Sequence, residues 1–249
     1  EEQPTGEISL AAGYGTNGVT TGGSVREKNF GGEAVDLNSN FEISEDSIKG
    51  QIGYSKPNFA YTDNTLFTSI RSINSDFLTI YGYESKELGL SVGTRFEQYE
   101  NLFFSPEFDL TVEDLETNKT ASDNIKKQEG SYTDFYFNYG LDYDRRDKSF
   151  NTKEGFVTSF SQELPVVSKN NEISNILIFT KYKELNKSSE MVGKASVFLK
   201  AINTIDGSDV RISKRGNVPY GRLRGFEKGK VGPIDNNDYI GGNYISTLN

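Results

Sequence analysis

The chain has 249 residues, with 27 Lys and Arg against 36 Asp and Glu, a formal net charge of −9. It contains no Cys and no His, which excludes Ser-His-Asp and Cys-His catalysis, imidazole and thiolate metal sites, Fe–S clusters and disulfides. The acidic balance argues against broad nucleic-acid binding, and no run of about 18 or more apolar residues is present to form a transmembrane helix.

Helical periodicity is nearly absent, and period-2 alternation recurs along the chain. It predicts about twelve strands, over residues 6–15, 18–29, 34–44, 47–57, 64–75, 87–98, 101–116, 131–144, 154–166, 173–185, 190–204 and 238–249. In the third, Val35, Leu37, Phe41 and Ile43 alternate with Asp36, Asn38, Asn40 and Glu42. In the sixth, Leu88, Leu90, Val92 and Phe96 alternate with Gly89, Ser91, Gly93 and Arg95. The seventh sets Leu102, Phe104, Phe108, Leu110 and Val112 against Glu107, Asp109, Thr111 and Glu113. The eighth sets Phe135, Phe137, Tyr139, Leu141 and Tyr143 against Asp134, Asn138 and Asp142. Turn signals separate most strands: Thr16-Asn17-Gly18, Gly31-Gly32, Glu45-Asp46, Asn170-Asn171 and Asn186-Lys187-Ser188-Ser189. No linker or internal repeat divides residues 1–249, which read as one domain.

Two all-β architectures produce this alternation. One is an antiparallel transmembrane barrel, apolar toward lipid and polar toward a wet lumen. The other is a soluble sandwich with one face in a core and one in water. Strand length favours the first, because soluble strands usually run about 5–6 residues and tilted membrane strands need about 9–11. Aromatics near the strand ends, such as Tyr14, Phe30, Tyr54, Tyr83 and Tyr99, fit interfacial girdles.

Alternation stops between about Ile205 and Asp238. A loop of this length is rarely idle in a compact fold. Residues 211–230 hold Arg211, Lys214, Arg215, Arg222, Arg224, Lys228 and Lys230 against Glu227 alone, a net +6 on a chain whose remainder is −15. The loop therefore either enters an acidic lumen or stays solvated near phosphates or lipid head groups.

The loop carries Tyr220-Gly221-Arg222-Leu223-Arg224-Gly225-Phe226, then Val231-Gly232-Pro233 and Asp238-Tyr239-Ile240-Gly241-Gly242-Asn243 opening the last strand. This resembles the large-loop signature of the BamA-type outer-membrane β-barrel assembly factors and their secretion and translocase relatives. Gly6 to Tyr14 resembles that family's first barrel strand. Arg26-Glu27-Lys28-Asn29-Phe30-Gly31-Gly32 resembles one of its turns, and Asp142-Tyr143-Asp144-Arg145-Arg146-Asp147 with Glu154-Gly155-Phe156 resembles its D-x-R-D periplasmic turn. The resemblance spans essentially the whole chain in the family's order.

The resemblance implies an antiparallel transmembrane β-barrel with about twelve of about sixteen strands present. The sheet would be curved and unclosed, with the closing strands and the upstream POTRA domains outside this chain. It implies location in the outer membrane of a Gram-negative bacterium and insertion of other barrel proteins without enzymatic chemistry or a cofactor. The implied partners are unfolded outer-membrane protein clients, outer-membrane lipid and accessory lipoproteins of an assembly complex, with no nucleic acid and no metal. The first strand, with Gly6, Ile8, Leu10, Ala12 and Tyr14, would be one side of a lateral gate, its free edge templating client strands. Gly6, Gly13 and Gly15 would weaken a strand that must unzip, or serve only tight barrel curvature. Arg224 would anchor the loop through carboxylates on strands beyond Asn249, with lumenal Asp and Glu of strands three, seven and eight as secondary partners. Gly225 would permit close backbone approach and Phe226 would pack on the wall. Gly241, Gly242 and Asn243 would open strand twelve. The alternative within the same superfamily is a two-partner-secretion pore. An unrelated porin would explain the strands but not the Arg-Gly-Phe segment.

Overall fold

The computed structural model of the chain describes residues 5–15, 18–186, 191–219, 221–227 and 229–249. The turns expected at Thr16-Asn17 and Lys187-Ser188-Ser189, and the loop residues Tyr220 and Lys228, lie outside the described residues. The strands are β1 (Gly6–Gly15), β2 (Gly18–Phe30), β3 (Val35–Ile43), β4 (Ser47–Lys56), β5 (Thr65–Phe77), β6 (Tyr83–Tyr99) and β7 (Leu102–Thr117). They continue with β8 (Gly130–Asp144), β9 (Gly155–Val167), β10 (Glu172–Asn186), β11 (Met191–Thr204), β12 (Ile234–Asp235), β13 (Asp238–Tyr239) and β14 (Tyr244–Leu248). A short α-helix, α1 (Asp123–Lys126), sits between β7 and β8, and a single 3-10 turn, Phe59–Tyr61, between β4 and β5.

β1 to β11 and then β14 form one twelve-stranded antiparallel sheet in which sequence neighbours are spatial neighbours. β1 and β14 are its two edges, so the sheet is unclosed. Such meandering connectivity needs only short turns between long strands. β6 and β7 are the longest, at 17 and 16 residues.

Two boundaries differ from the sequence expectation by more than two residues. β6 begins at Tyr83 rather than 87, because Tyr83, Glu84, Ser85 and Lys86 pair with Thr117, Glu116, Leu115 and Asp114 across polar residues that mask the alternation. The last strand begins at Tyr244 rather than 238. Asp238 and Tyr239 pair instead with Asp235 and Ile234 in a separate hairpin. Gly241 then takes a left-handed backbone with φ 65°, which an extended strand cannot accommodate.

The faces of the sheet are sorted in the reverse of a soluble protein. Asp109, Thr111 and Glu113 of β7 and Asp134 of β8 are buried on the concave face. On the convex face Leu88, Leu90 and Val92 of β6 and Phe108, Leu110 and Val112 of β7 are exposed. Aromatics tile that face across strands, as in Phe108 with Phe137 (5.3 Å between centroids) and Phe104 with Tyr139 (6.1 Å). Buried polar groups must be paired, and the concave side supplies the partners. Arg71 of β5 bridges Glu87 of β6 at 2.8 Å and Asp109 of β7 at 2.5 Å, and donates to the Thr111 hydroxyl at 2.8 Å.

The two turn signatures form compact, side-chain-capped corners at one end of the sheet. In the β2–β3 turn the Asn29 backbone N–H donates to Glu27 Oε1 at 2.9 Å, and Ala34 N–H donates to Asn29 Oδ1 at 2.8 Å. In the β8–β9 turn Arg146 forks onto Asp144 through Nε at 2.9 Å and Nη2 at 2.6 Å, a charge-assisted pair. Asp147 Oδ1 accepts from the backbone N–H of Lys153 and of Glu154. Gly155 closes the corner at φ 102°, where a side chain would meet the Arg145 carbonyl.

Candidate functional site

The connection between β11 and β14 leaves the loop end of the sheet, enters its concave face and returns. Residues 210–216 of its first limb are its most buried stretch. Arg211, with 0% exposure, reaches carboxylates on three strands: Glu113 of β7 at 3.1 Å, Asp134 of β8 at 2.5 Å and Glu172 of β10 at 3.6 Å. Its guanidinium lies 4.1 Å from the centroid of the Tyr132 ring, a cation–π contact. The Arg211 backbone N–H donates to Glu172 Oε1 and the Ile212 N–H donates to Gln128 Oε1, both at 2.6 Å. Burial works against the Arg211 charge, but Glu113, Asp134 and Glu172 outweigh it and hold its pKa above the ordinary value. Lys214 lies 5.1 Å from the Tyr136 ring centroid. Burial opposes its charge too, but Glu163 of β9, Tyr136 and Glu87 together outweigh that and raise its pKa. The root of the basic loop thus meets the acidic concave face of the sheet.

An apolar lid covers this cluster toward the loop end. Ile212 packs with Tyr81, Tyr83, Leu115 and Tyr132, flanked by Phe77, Ile80, Tyr239 and Ile240. The β12–β13 hairpin is held there by the Tyr239 N–H to Ile80 carbonyl bond at 3.1 Å and by Ser122 donating to Asp235 at 2.6 Å. Removing one member of a buried ion cluster strands the others without water, which typically costs about 3–5 kcal/mol.

The Arg-Gly-Phe segment lies at the far tip of the loop. Arg224, Gly225 and Phe226 are all exposed. Arg224 borders a groove with Arg222 and Leu223, with Lys194 and Ser196 of β11, and with Leu248 and Asn249. Among the described residues Arg224 makes no ion pair, and the β7 and β8 carboxylates considered as its secondary partners hold Arg211 instead. Gly225 has φ 84° with open space where a Cβ would stand, so here its role is backbone conformation rather than close approach. Phe226 is 63% exposed and lines a small pocket with Val218, Pro219, Leu223 and Val231, so its apolar neighbours are the loop's own residues rather than the wall. The tip touches the sheet through Arg222, 4.9 Å from the Phe198 ring centroid, and through Asn249, which donates to the Arg222 carbonyl at 2.7 Å.

The Gly241-Gly242-Asn243 motif stitches the loop to the sheet. Gly242 exchanges backbone hydrogen bonds with Gly216 at 2.8 and 2.9 Å, and the Asn243 carbonyl accepts from Ile202 N–H of β11 at 2.8 Å. At the opposite edge β1 pairs with β2 along its whole length, from Gly6 against Glu27 to Gly15 against Gly18. Ile8, Leu10, Ala12 and Tyr14 are exposed, and the other side of β1 is the free edge of the sheet. The most deeply buried of these charges, Arg211, carries no motif. Its one signal in the sequence is its place between Val210 and Ile212, themselves 2% and 3% exposed.

Residues 29–249 match the Omp85 superfamily domain. The fold is that of BamA from Haemophilus ducreyi, in a crystal structure lacking POTRA domains 1–3, with a TM-score of 0.89 and 22% sequence identity. That likeness covers 100% of this chain and 53% of the other, so the chain spans about half the length of the structure it matches. No curated protein matches the chain. With the family match extending from the β2–β3 turn to the last residue, the chain belongs to the Omp85 superfamily.

Proposed function

We propose that this chain is the loop-bearing part of a bacterial outer-membrane barrel that inserts and folds other barrel proteins, without enzymatic chemistry. The observation that carries this reading is the inside-out sorting of the sheet: a buried, charged concave face filled by a basic loop and an exposed apolar convex face. In this reading the closing strands and POTRA domains belong to the same protein outside residues 1–249. The free edge of β1, from Gly6 to Tyr14, is one side of a lateral gate and offers backbone donors and acceptors to an incoming client strand. The partners are unfolded outer-membrane protein clients, membrane lipid and accessory lipoproteins. Arg224 seats the loop tip on carboxylates of the closing strands, with Gly225 and Phe226 shaping the tip, and Gly241 to Asn243 set the start of the strand that follows.

The test is reconstitution of the full-length protein in liposomes with a urea-denatured outer-membrane barrel as client, with client folding read by protease protection. The expected result is catalysed folding that falls about tenfold in Arg224→Ala, roughly the loss of one charge-assisted contact worth about 1.4 kcal/mol or more. Transport of a soluble substrate across the bilayer with no gain in client folding would move the reading to the secretion pores of the same superfamily.

A further inference from the structure

The loop has two parts of very different character. Its root, Val210 to Ile212, is buried, and Arg211 there is held by side chains from β7, β8 and β10. Its tip, residues 221–227, is mostly exposed, packs its apolar side chains largely on the loop itself and touches the sheet chiefly through Arg222 and Asn249. Between them the Gly216–Gly242 bridge closes off the root from the tip, so that the two limbs of the loop are tied together before the tip begins. We propose that Arg211 is a positioning residue that anchors the root of the loop in the lumen independently of the Arg-Gly-Phe tip, so that the tip can leave its seat while the loop stays inside the barrel.

One charge-assisted hydrogen bond, from Nη2 to Asp134, and ion pairs to Glu113 and Glu172 surround the guanidinium with carboxylates from three separate strands, which a single surface pair cannot do. The two backbone donors beside it, Arg211 N–H and Ile212 N–H, are also satisfied by side chains of the sheet and of the β7–β8 connection. Withdrawing the root would expose Glu113, Asp134 and Glu172 unpaired in a confined lumen, so the root has no inexpensive alternative position. Among the described residues, withdrawing the tip breaks one cation–π contact and two hydrogen bonds to the sheet. The role in assembly rests on the function proposed above; the anchoring itself does not.

The test uses single-cysteine reporters in a cysteine-free full-length protein in proteoliposomes, with maleimide labelling from the loop side and no client present. Ser213→Cys reports the root and Glu227→Cys the tip. The expected result is slow labelling at position 213, unchanged within about twofold by Arg224→Ala and accelerated about tenfold or more by Arg211→Gln, with position 227 fast throughout. Because Arg211→Gln strands three carboxylates, a second variant combines Arg211→Met with Glu113→Gln, Asp134→Asn and Glu172→Gln. It retains a folded, protease-resistant barrel and also exposes position 213. Continued protection of position 213 in that charge-free variant would overturn the proposal, as would an Arg224→Ala effect at position 213 equal to that of Arg211→Gln. A failed client-folding assay with the labelling pattern intact would count against the proposed function and not against the anchor.

Discussion

At the scale of single residues, two arginines thirteen positions apart in one basic loop have opposite environments. Arg211 is enclosed by carboxylates and an aromatic face, and Arg224 is exposed at the tip. Near the root, Asp206 shows how a short turn sets a titration. Its carboxylate accepts the Ser208 N–H at 3.0 Å and the Asn171 side-chain N–H at 3.2 Å. The Ser208 hydroxyl and backbone hold its pKa down to about 2, against an ordinary value of 3.8. A depressed carboxylate pKa means that the turn is supported above the ordinary value and loses that support as pH falls through about 2. Amide exchange at Ser208 is therefore expected to stay slow down to about pH 3 and to accelerate near pH 2. Asp206→Asn should abolish that step, and a step centred near pH 4 would contradict the assignment.

At the scale of elements, the β8–β9 corner ties a sequence signature to a mechanical role. Asp144, Arg146 and Asp147 satisfy the turn's backbone and each other, and Gly155 supplies the one conformation that lets β9 leave the corner. Gly155→Ala places a methyl against the Arg145 carbonyl in a disfavoured backbone region. It is expected to destabilise the barrel by at least about 1 kcal/mol, read as a lower urea midpoint in micelles for the full-length protein. An unchanged midpoint would show that the corner adapts. The corner was legible because its polar residues act locally, within a few positions of one another. The start of β14 was not, because Asp238-Tyr239 alternates like a strand yet finds a nearer partner in Ile234-Asp235.

At the scale of the whole molecule, the sheet presents two free edges, β1 and β14. Unpaired backbone groups in an apolar medium cost several kcal/mol each, so such edges recruit partners. Residues 1–249 expressed alone in detergent are expected to associate edge to edge, seen by light scattering as masses above one chain. A monodisperse single chain would show that the edges close on each other. Strands, apolar and polar faces, the basic loop and the family signatures are all readable along the chain, because period-2 alternation and turn chemistry are local properties. Which arginine meets the acidic face emerges from the fold: Arg211, not the motif arginine, pairs with Glu113, Asp134 and Glu172. Those carboxylates lie on strands far apart in the chain, and charge counted along a sequence does not tell which cation a curved sheet brings within reach of them.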